Sequence, residues 1–525
     1  MTTSMRPRIG IIHLGPVVLL LVSLVVLAQQ ASSPQKPEDV PNATNMSDSV
    51  DRSVTSTFKS RADLVLVPVV VREKGRHIAG LTKDAFRLEE NGKEQDISSF
   101  EEVQAPPDGV PPSPVIGRGY SNLPFDNTQQ LRLTIIVLDL LNTTPLQRKD
   151  GKDQIVKFLS NGLARNQPVS LLCLTGKGVQ LVQPFSTDAG LLTQALKKYP
   201  LGAETIMGLR NASEGTLRQL QEIAQAYGGV PGRKTMILAA GNVPELVPEH
   251  GVFDSSVLAS DIRDMWKSLM DANISVYPIQ LLNWSNDPVF RGRGVHSSEV
   301  SLREFADATG GNRCIETNQM LRCMAEAVED SRSYYMLGFS VRPDDRKPGW
   351  RDLKVKVSID HADIRARNGF YYGNPESPSP KSVRDTEVNA LASALAYGTV
   401  PMFVRVLPPT TAPSADSAPN HGKKTTVEFL VTIPLNSIRI DRSSASPVDL
   451  EIGAIALTRD MREAGEFLHP LRGNPKPEVL QQFARDGIKL REKLELPPGT
   501  YDVRFMAHDL SSNQIGTVVF PLEVK

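Results

Sequence analysis

An acid and two polar residues stand together where an apolar run ends: Asp139, Asn142 and Thr143 within LRLTIIVLDLLNTT, residues 131–144. Carboxylate and hydroxyl oxygens a few residues apart can ligate a hard divalent cation such as Mg2+ or Ca2+. Asp139 and Thr143 are therefore the candidate metal ligands of this chain. The same residues have a plainer use. An aspartate at a strand end accepts hydrogen bonds from backbone N–H groups just downstream and so fixes a turn.

Little else in the sequence could run a reaction. The eight His are scattered, with no HExxH pair for zinc. There is no GxSxG elbow. Thr175-Gly176-Lys177-Gly178 reads as a hairpin turn, because the GxxxxGK[ST] spacing of a phosphate loop is missing. Cys314 and Cys323, nine positions apart, can bridge in an oxidising compartment or stay as two buried thiols. Cys173, inside SLLCLTG, reads as a small core residue. Arg291 and Arg293, in the loop 281–298, are either solvated charges or cations that meet an acidic partner. Asp254-Ser255-Ser256 reads as a helix N-cap.

The elements that position these residues can be read from periodicity. Residues 133–139 are apolar without alternation, the pattern of a strand covered on both faces of a parallel sheet. Further strands are expected at 169–174, 179–185, 235–239, 275–280 and 313–316, separated by helical stretches from 146 to 331. Such alternation predicts an α/β fold with right-handed crossovers and helices on both faces of the sheet. Residues 179–185 follow the strand before them too closely for a crossover helix, so an antiparallel edge strand is expected there. Asp139, Asn142 and Thr143 then fall at the C-terminal mouth of the sheet, where open α/β sheets bind ligands.

Either side of this region the texture changes. A β module is expected at 58–104, with a hairpin at Asn91-Gly92. Short strands recur from 425 to 525, the signature of an Ig-like β-sandwich, expected over 384–525 with a disordered insertion at 408–424. At the start, Arg6 and Arg8 precede an apolar Val17–Leu27 and Ala28, which reads as a secretory signal over 1–28 with a flexible linker at 29–57. The rival is an uncleaved membrane anchor. Lys plus Arg and Asp plus Glu number 59 each, so no net field draws the chain to nucleic acid.

Several runs together resemble the von Willebrand factor A (VWFA)-related proteins of acidobacteria. They are LVPVVVREKGRHIAGLTKDAFRLEENGKEQDISSFEE at 66–102, LDLLNTT, FADATGGNRC at 305–314, YYMLGFSV at 334–341 and RARNGFYYG at 365–373. The resemblance implies a doubly wound, Rossmann-like VWA domain for protein interaction at 130–373, with no reaction established for the group. It also implies a metal site of the pattern DxSxS, completed by a threonine before a middle helix and an acid after the fourth strand. Asp139 and Thr143 match. Leu141 stands at the first hydroxyl, Gly241-Asn242 supply no acid, and Thr205 is no clear match. The site is expected to be degenerate.

The expectation is thus an exported protein, periplasmic or extracellular, that is not an enzyme and needs no cofactor. It would serve as a protein-interaction scaffold for a protein ligand with acidic groups, with no membrane insertion once the leader is removed. The alternative is a divalent-cation-dependent adhesion receptor in which Asp139 and Thr143 hold Mg2+ or Ca2+. A third reading, a hydrolase, finds no residues that can be paired into a site.

Overall fold

The computed structural model describes residues 64–104, 119–124, 132–164, 166–202, 209–241, 257–281, 294–314, 319–341, 349–373, 380–408, 424–440, 444 and 446–525. The signal and linker, most of the insertion at 408–424, Thr205, Asn242, Asp254-Ser255-Ser256, Arg291 and Arg293 lie outside them. The protein is a mixed α/β chain in several sheets.

At its centre, five strands lie in the order Ile274–Gln280, Lys234–Ala240, Leu133–Asp139, Val169–Thr175, Gly178–Ser186. The first four are mutually parallel, and Gly178–Ser186 is the antiparallel edge strand that its short connection requires. All seven residues of Leu133–Asp139 are buried, as an uninterrupted apolar run must be when both sheet faces are covered. Alternate residues feed two cores. Ile135 and Val137 pack with Leu217, Leu220 and Ile223 of the helix Leu209–Tyr227, while Ile136 and Leu138 pack with Ile155 and Phe158 of the helix Pro145–Asn161. Of the strand expected at 313–316, residues 315 and 316 lie outside the described residues. Cys314 bridges Ile279 there, in parallel.

Residues 64–104 form five strands, but not a separate module as the sequence led us to expect. Leu64–Glu73 pairs on one edge with Ser333–Ser340 and on the other with Asp363–Ala366, beyond the central sheet in the chain. Phe86–Glu90 likewise pairs with Gly349–Val357. Burial gives the reason. Six consecutive residues, Val67 to Arg72, are buried, and a strand covered on both faces needs more neighbours than a short hairpin array can supply. The layer shares one core with the helices of the parallel sheet, Phe339 and Phe370 lying in the same cluster as Met265 and Phe305.

The C-terminal region is a two-sheet sandwich. One sheet runs Ile488–Leu496, Thr425–Ile433, Phe403–Val406, Tyr120–Ser121, and the other runs Glu463–Gly473, Val448–Leu457, Gly499–Asp509, Gln514–Val524. Phe429, Phe505 and Phe520 meet in the core between them. The helix Pro380–Ala392 lies on the outer face of the second sheet, where Arg504 donates to the carbonyls of Leu391 and Ser393. Asn122 stitches the approach to this region, its amide donating to the carbonyls of Tyr397 (2.7 Å) and Val400 (2.8 Å). Among the described residues no helix is long and apolar enough to cross a membrane.

Candidate functional site

The mouth of the parallel sheet is built by a strand end, a turn and a helix start. Pro145 opens the helix Pro145–Asn161, and Thr144 caps it in a capping box with Gln147, two orphan N–H groups satisfied reciprocally. Arg148, one turn in and 2% exposed, donates to the carbonyls of Leu140 (2.6 Å) and Gly202 (3.0 Å) and pins the turn from below. The segment 139–144 therefore has a fixed path.

Within it Asp139 is 1% exposed, and every hydrogen bond recorded for its carboxylate comes from a neutral group. Oδ1 accepts from the backbone N–H of Leu141 (2.8 Å) and of Asn142 (3.1 Å). Oδ2 accepts from Asn142 Nδ2 (2.6 Å) and from Thr216 Oγ1 (3.5 Å). Asn142 Nδ2 also donates to Thr216 Oγ1 at 2.7 Å. Thr143 Oγ1 turns back to donate to the backbone carbonyl of Asp139 at 2.5 Å. Burial pushes the Asp139 carboxyl up to about 6, against the opposing pull of Asn142, Leu141 and Thr216.

Asp139, Asn142 and Thr143 thus come together, joined by Thr216 from the helix Leu209–Tyr227. Thr216 had no sequence partner in our reading. Its signal was a hydroxyl on the buried face of that helix, in line with Leu220, Ile223 and Tyr227.

The arrangement does not fit a divalent cation. The Asn142 amide nitrogen lies between the two oxygens that would face the ion, within 2.7 Å of both. Leu141, at the first hydroxyl position, is buried in the core against Gly215. At Gly241, beside the position where an acid would be needed, a Cβ would stand 2.4 Å from Gln147 Oε1 and 2.9 Å from the Asn142 carbonyl. Among the described residues no group of three or more His, Cys, Asp or Glu could hold a metal ion.

A second buried acid marks the other end of the sheet. Asp330, the last residue of the helix Met320–Asp330, bonds Arg72 Nη1 (2.6 Å) and Arg365 Nη1 (2.5 Å) and accepts from the Tyr277 hydroxyl (2.7 Å). Its backbone carbonyl accepts from Arg233 Nη1 at 2.9 Å. Arg72 and Arg365 belong to the added β layer and Tyr277 to the parallel sheet, so this network fastens one to the other. The same helix is held near its start by the disulfide Cys314–Cys323. Cys173 is buried and takes no part in the bridge.

No family model matches the chain, and no curated protein matches it. Among solved structures it is similar to an aerotolerance-related membrane protein from Bacteroides fragilis, at 16% identity and a TM-score of 0.25, over 37% of this chain and 98% of that one. It is also similar to proximal thread matrix protein 1 from the mussel byssus, at 14% identity and a TM-score of 0.26, over 38% of this chain and 48% of that one. A further structure of the mussel protein, with a zinc-occupied MIDAS motif, matches at 13% identity and a TM-score of 0.25, again over 38% of this chain and 48% of that one. The match thus spans about half the length of the mussel protein. These scores carry no weight for the site, which is described from the chain's own geometry.

Proposed function

We propose that this chain is an exported, non-enzymatic protein-interaction scaffold, built on a doubly wound VWA-like domain with a degenerate metal site. One observation carries the reading. The carboxylate at the mouth of the parallel sheet is buried and taken up by internal donors, so neither a nucleophile nor a cation ligand is presented to solvent. The order of the parallel strands, with a separate core on each face, supports the doubly wound assignment. The disulfide supports export to an oxidising compartment, periplasmic or extracellular. The partner we expect is a protein with acidic surface groups, met by helix N-termini at the mouth and by the cations of Arg291 and Arg293, which lie outside the described residues.

The alternative, a cation-dependent adhesion receptor, is favoured by the meeting of Asp139, Thr143 and Thr216 oxygens at one mouth. Calorimetric titration of the whole mature chain with Mg2+ and Ca2+ separates the two. The scaffold reading expects no saturable binding at Asp139. Saturable binding that disappears in Asp139→Ala supports the receptor and overturns the scaffold.

A further inference from the structure

A small cavity lies where four elements meet. Pro68 and Arg367 come from the added β layer, and Met270 and Asn273 from the end of the helix Val257–Asp271 and the turn after it. Ile274 opens the edge strand of the parallel sheet, and Thr309 closes the helix Gly294–Thr309. The cavity measures about 10 Å3, room for about one water-sized sphere. It lies at the opposite end of the strands from the mouth. Its cation has no acid beside it. Arg367 is 7% exposed, and its Nη1 and Nη2 donate to the carbonyls of Met270 and Leu66. Its Cζ stands 6.0 Å from the centroid of the Phe370 ring. Among the described residues its Nε has no hydrogen-bond partner. The acid whose charge reaches it, Asp271, is exposed and paired with Lys267. Burial accordingly pulls the guanidinium down to about 10.

We infer that this cavity is a halide site, in which a chloride ion accepts from Arg367 Nε and supplies the counter-charge that the guanidinium lacks. Size and charge select a monatomic anion. A carboxylate or a phosphate is too large for a space of one sphere. A water would satisfy Nε and leave the charge uncompensated, and a buried charge without a partner is costly. The rest of the polar lining can donate as well. Asn273 carries two amide N–H groups. The N–H of Val276 turns out from the sheet edge to Thr309 Oγ1 at 2.8 Å. Ile274, two residues earlier on the same strand, turns its N–H to that same open side. The Thr309 hydroxyl proton is committed to the Phe305 carbonyl at 2.6 Å, so this residue walls the cavity without binding the ion. The ion would sit between the added layer and the edge of the parallel sheet, and it is independent of the scaffold reading.

Halide-dependent melting tests this. The whole chain is melted in sodium chloride, with sodium gluconate, too large to enter, holding ionic strength constant. The unfolding temperature should rise saturably with chloride, by about 2 °C between about 1 and 150 mM, and bromide should act alike. Arg367→Gln should lose this rise. Arg504→Gln, at another guanidinium that donates to carbonyls, should keep it. Wild-type crystals soaked in sodium bromide locate the ion without any variant, and decide the matter if Arg367→Gln does not fold. An anomalous peak is expected in the cavity, within hydrogen-bonding distance of Arg367 Nε. A chloride effect that does not saturate, or that survives in Arg367→Gln, overturns the site. So does a soaked crystal that holds water alone in the cavity or bromide only elsewhere.

Discussion

Two aspartates, each almost wholly buried, sit at opposite ends of the parallel sheet and are held in opposite ways. Asp330 lies between Arg72 and Arg365, full charges that offset its own. The recorded donors to Asp139 are two backbone N–H groups, an amide and a hydroxyl. The difference teaches that depth of burial does not decide what a carboxylate is for. A charge-compensated acid locks elements together. An acid held by neutral donors is tuned within reach of physiological pH, its carboxyl pushed up to about 6 by burial.

Removing the charge at Asp330 should give the largest effect. Asp330→Asn leaves the buried Arg72 guanidinium without its carboxylate, while Arg365 keeps Asp363 at 2.9 Å, and breaking a buried pair in this way costs about 3–5 kcal/mol. Urea unfolding measures it, and a loss below about 1 kcal/mol, the range of a surface pair, would put both aspartates in one class.

The pH profile should separate the two next. The Asp139 carboxyl rises from 3.8 in the unfolded chain to about 6 in the folded one, so the folded state binds that proton more tightly. The resulting stability is full below about pH 4 and is lost as pH climbs to about 6, in all about 3 kcal/mol. Asp139→Asn should lack this fall. Parallel wild-type and variant profiles over that window would contradict the neutral-donor account.

The helix Met320–Asp330 joins the comparison because it is fastened near one end by Cys323 and at the other by Asp330. Replacing both bridge cysteines with serine should cost about 2–3 kcal/mol through the freed short loop. Combined with Asp330→Asn, the losses should exceed their sum if the helix is held only by its ends, a departure that a double-mutant cycle reads directly.

The smallest effect is expected at a third buried acid, between the extremes. Glu387 accepts from neighbouring His508 at 3.0 Å and faces Arg384 at 3.6 Å. Glu451, cross-strand from His508, has its carboxyl raised by burial and by Glu387. Stability from that site should fall modestly as pH rises through the Glu451 titration, and Glu451→Gln should flatten the slope. Hydrogen exchange in the helix Pro380–Ala392, compared between acidic and neutral pH after intrinsic correction, tests it. Equal protection in wild type would remove the site from the series.

What the sequence showed depended on how much of the physics was local. The strand Leu133–Asp139 and the strand Val448–Leu457 were readable to the residue because their apolar patterns are uninterrupted or cleanly alternating. Glu463–Gly473 and the helix after it, Pro477–Asp486, went unread. Glu463–Gly473 has no fully buried residue to set a period of hydrophobicity, whereas the helix does carry an apolar face at Val479, Leu480 and Phe483, a single short stripe that our reading passed over. The turn around Asp139 was readable from its spacing. Thr216 was not, because it reaches Asp139 from another helix, and a hydroxyl on a helix's buried face does not by itself name its partner. Nor could the sequence show that Leu64–Glu73 is completed by strands from the far side of the central sheet.

That last pairing governs the order in which the molecule can assemble. Val69 lies between Tyr335 and Ala366, so during synthesis this strand emerges long before either neighbour exists. Closing such a distant contact is slow. Until then a buried-type strand stands with both edges open, a template for pairing with other chains. The intervening parallel sheet takes its strands from residues 133 to 280, a span complete before the partner strands are made. A nascent chain stopped short of residue 366 would therefore carry a formed sheet beside an unsatisfied strand, and aggregation is its expected fate.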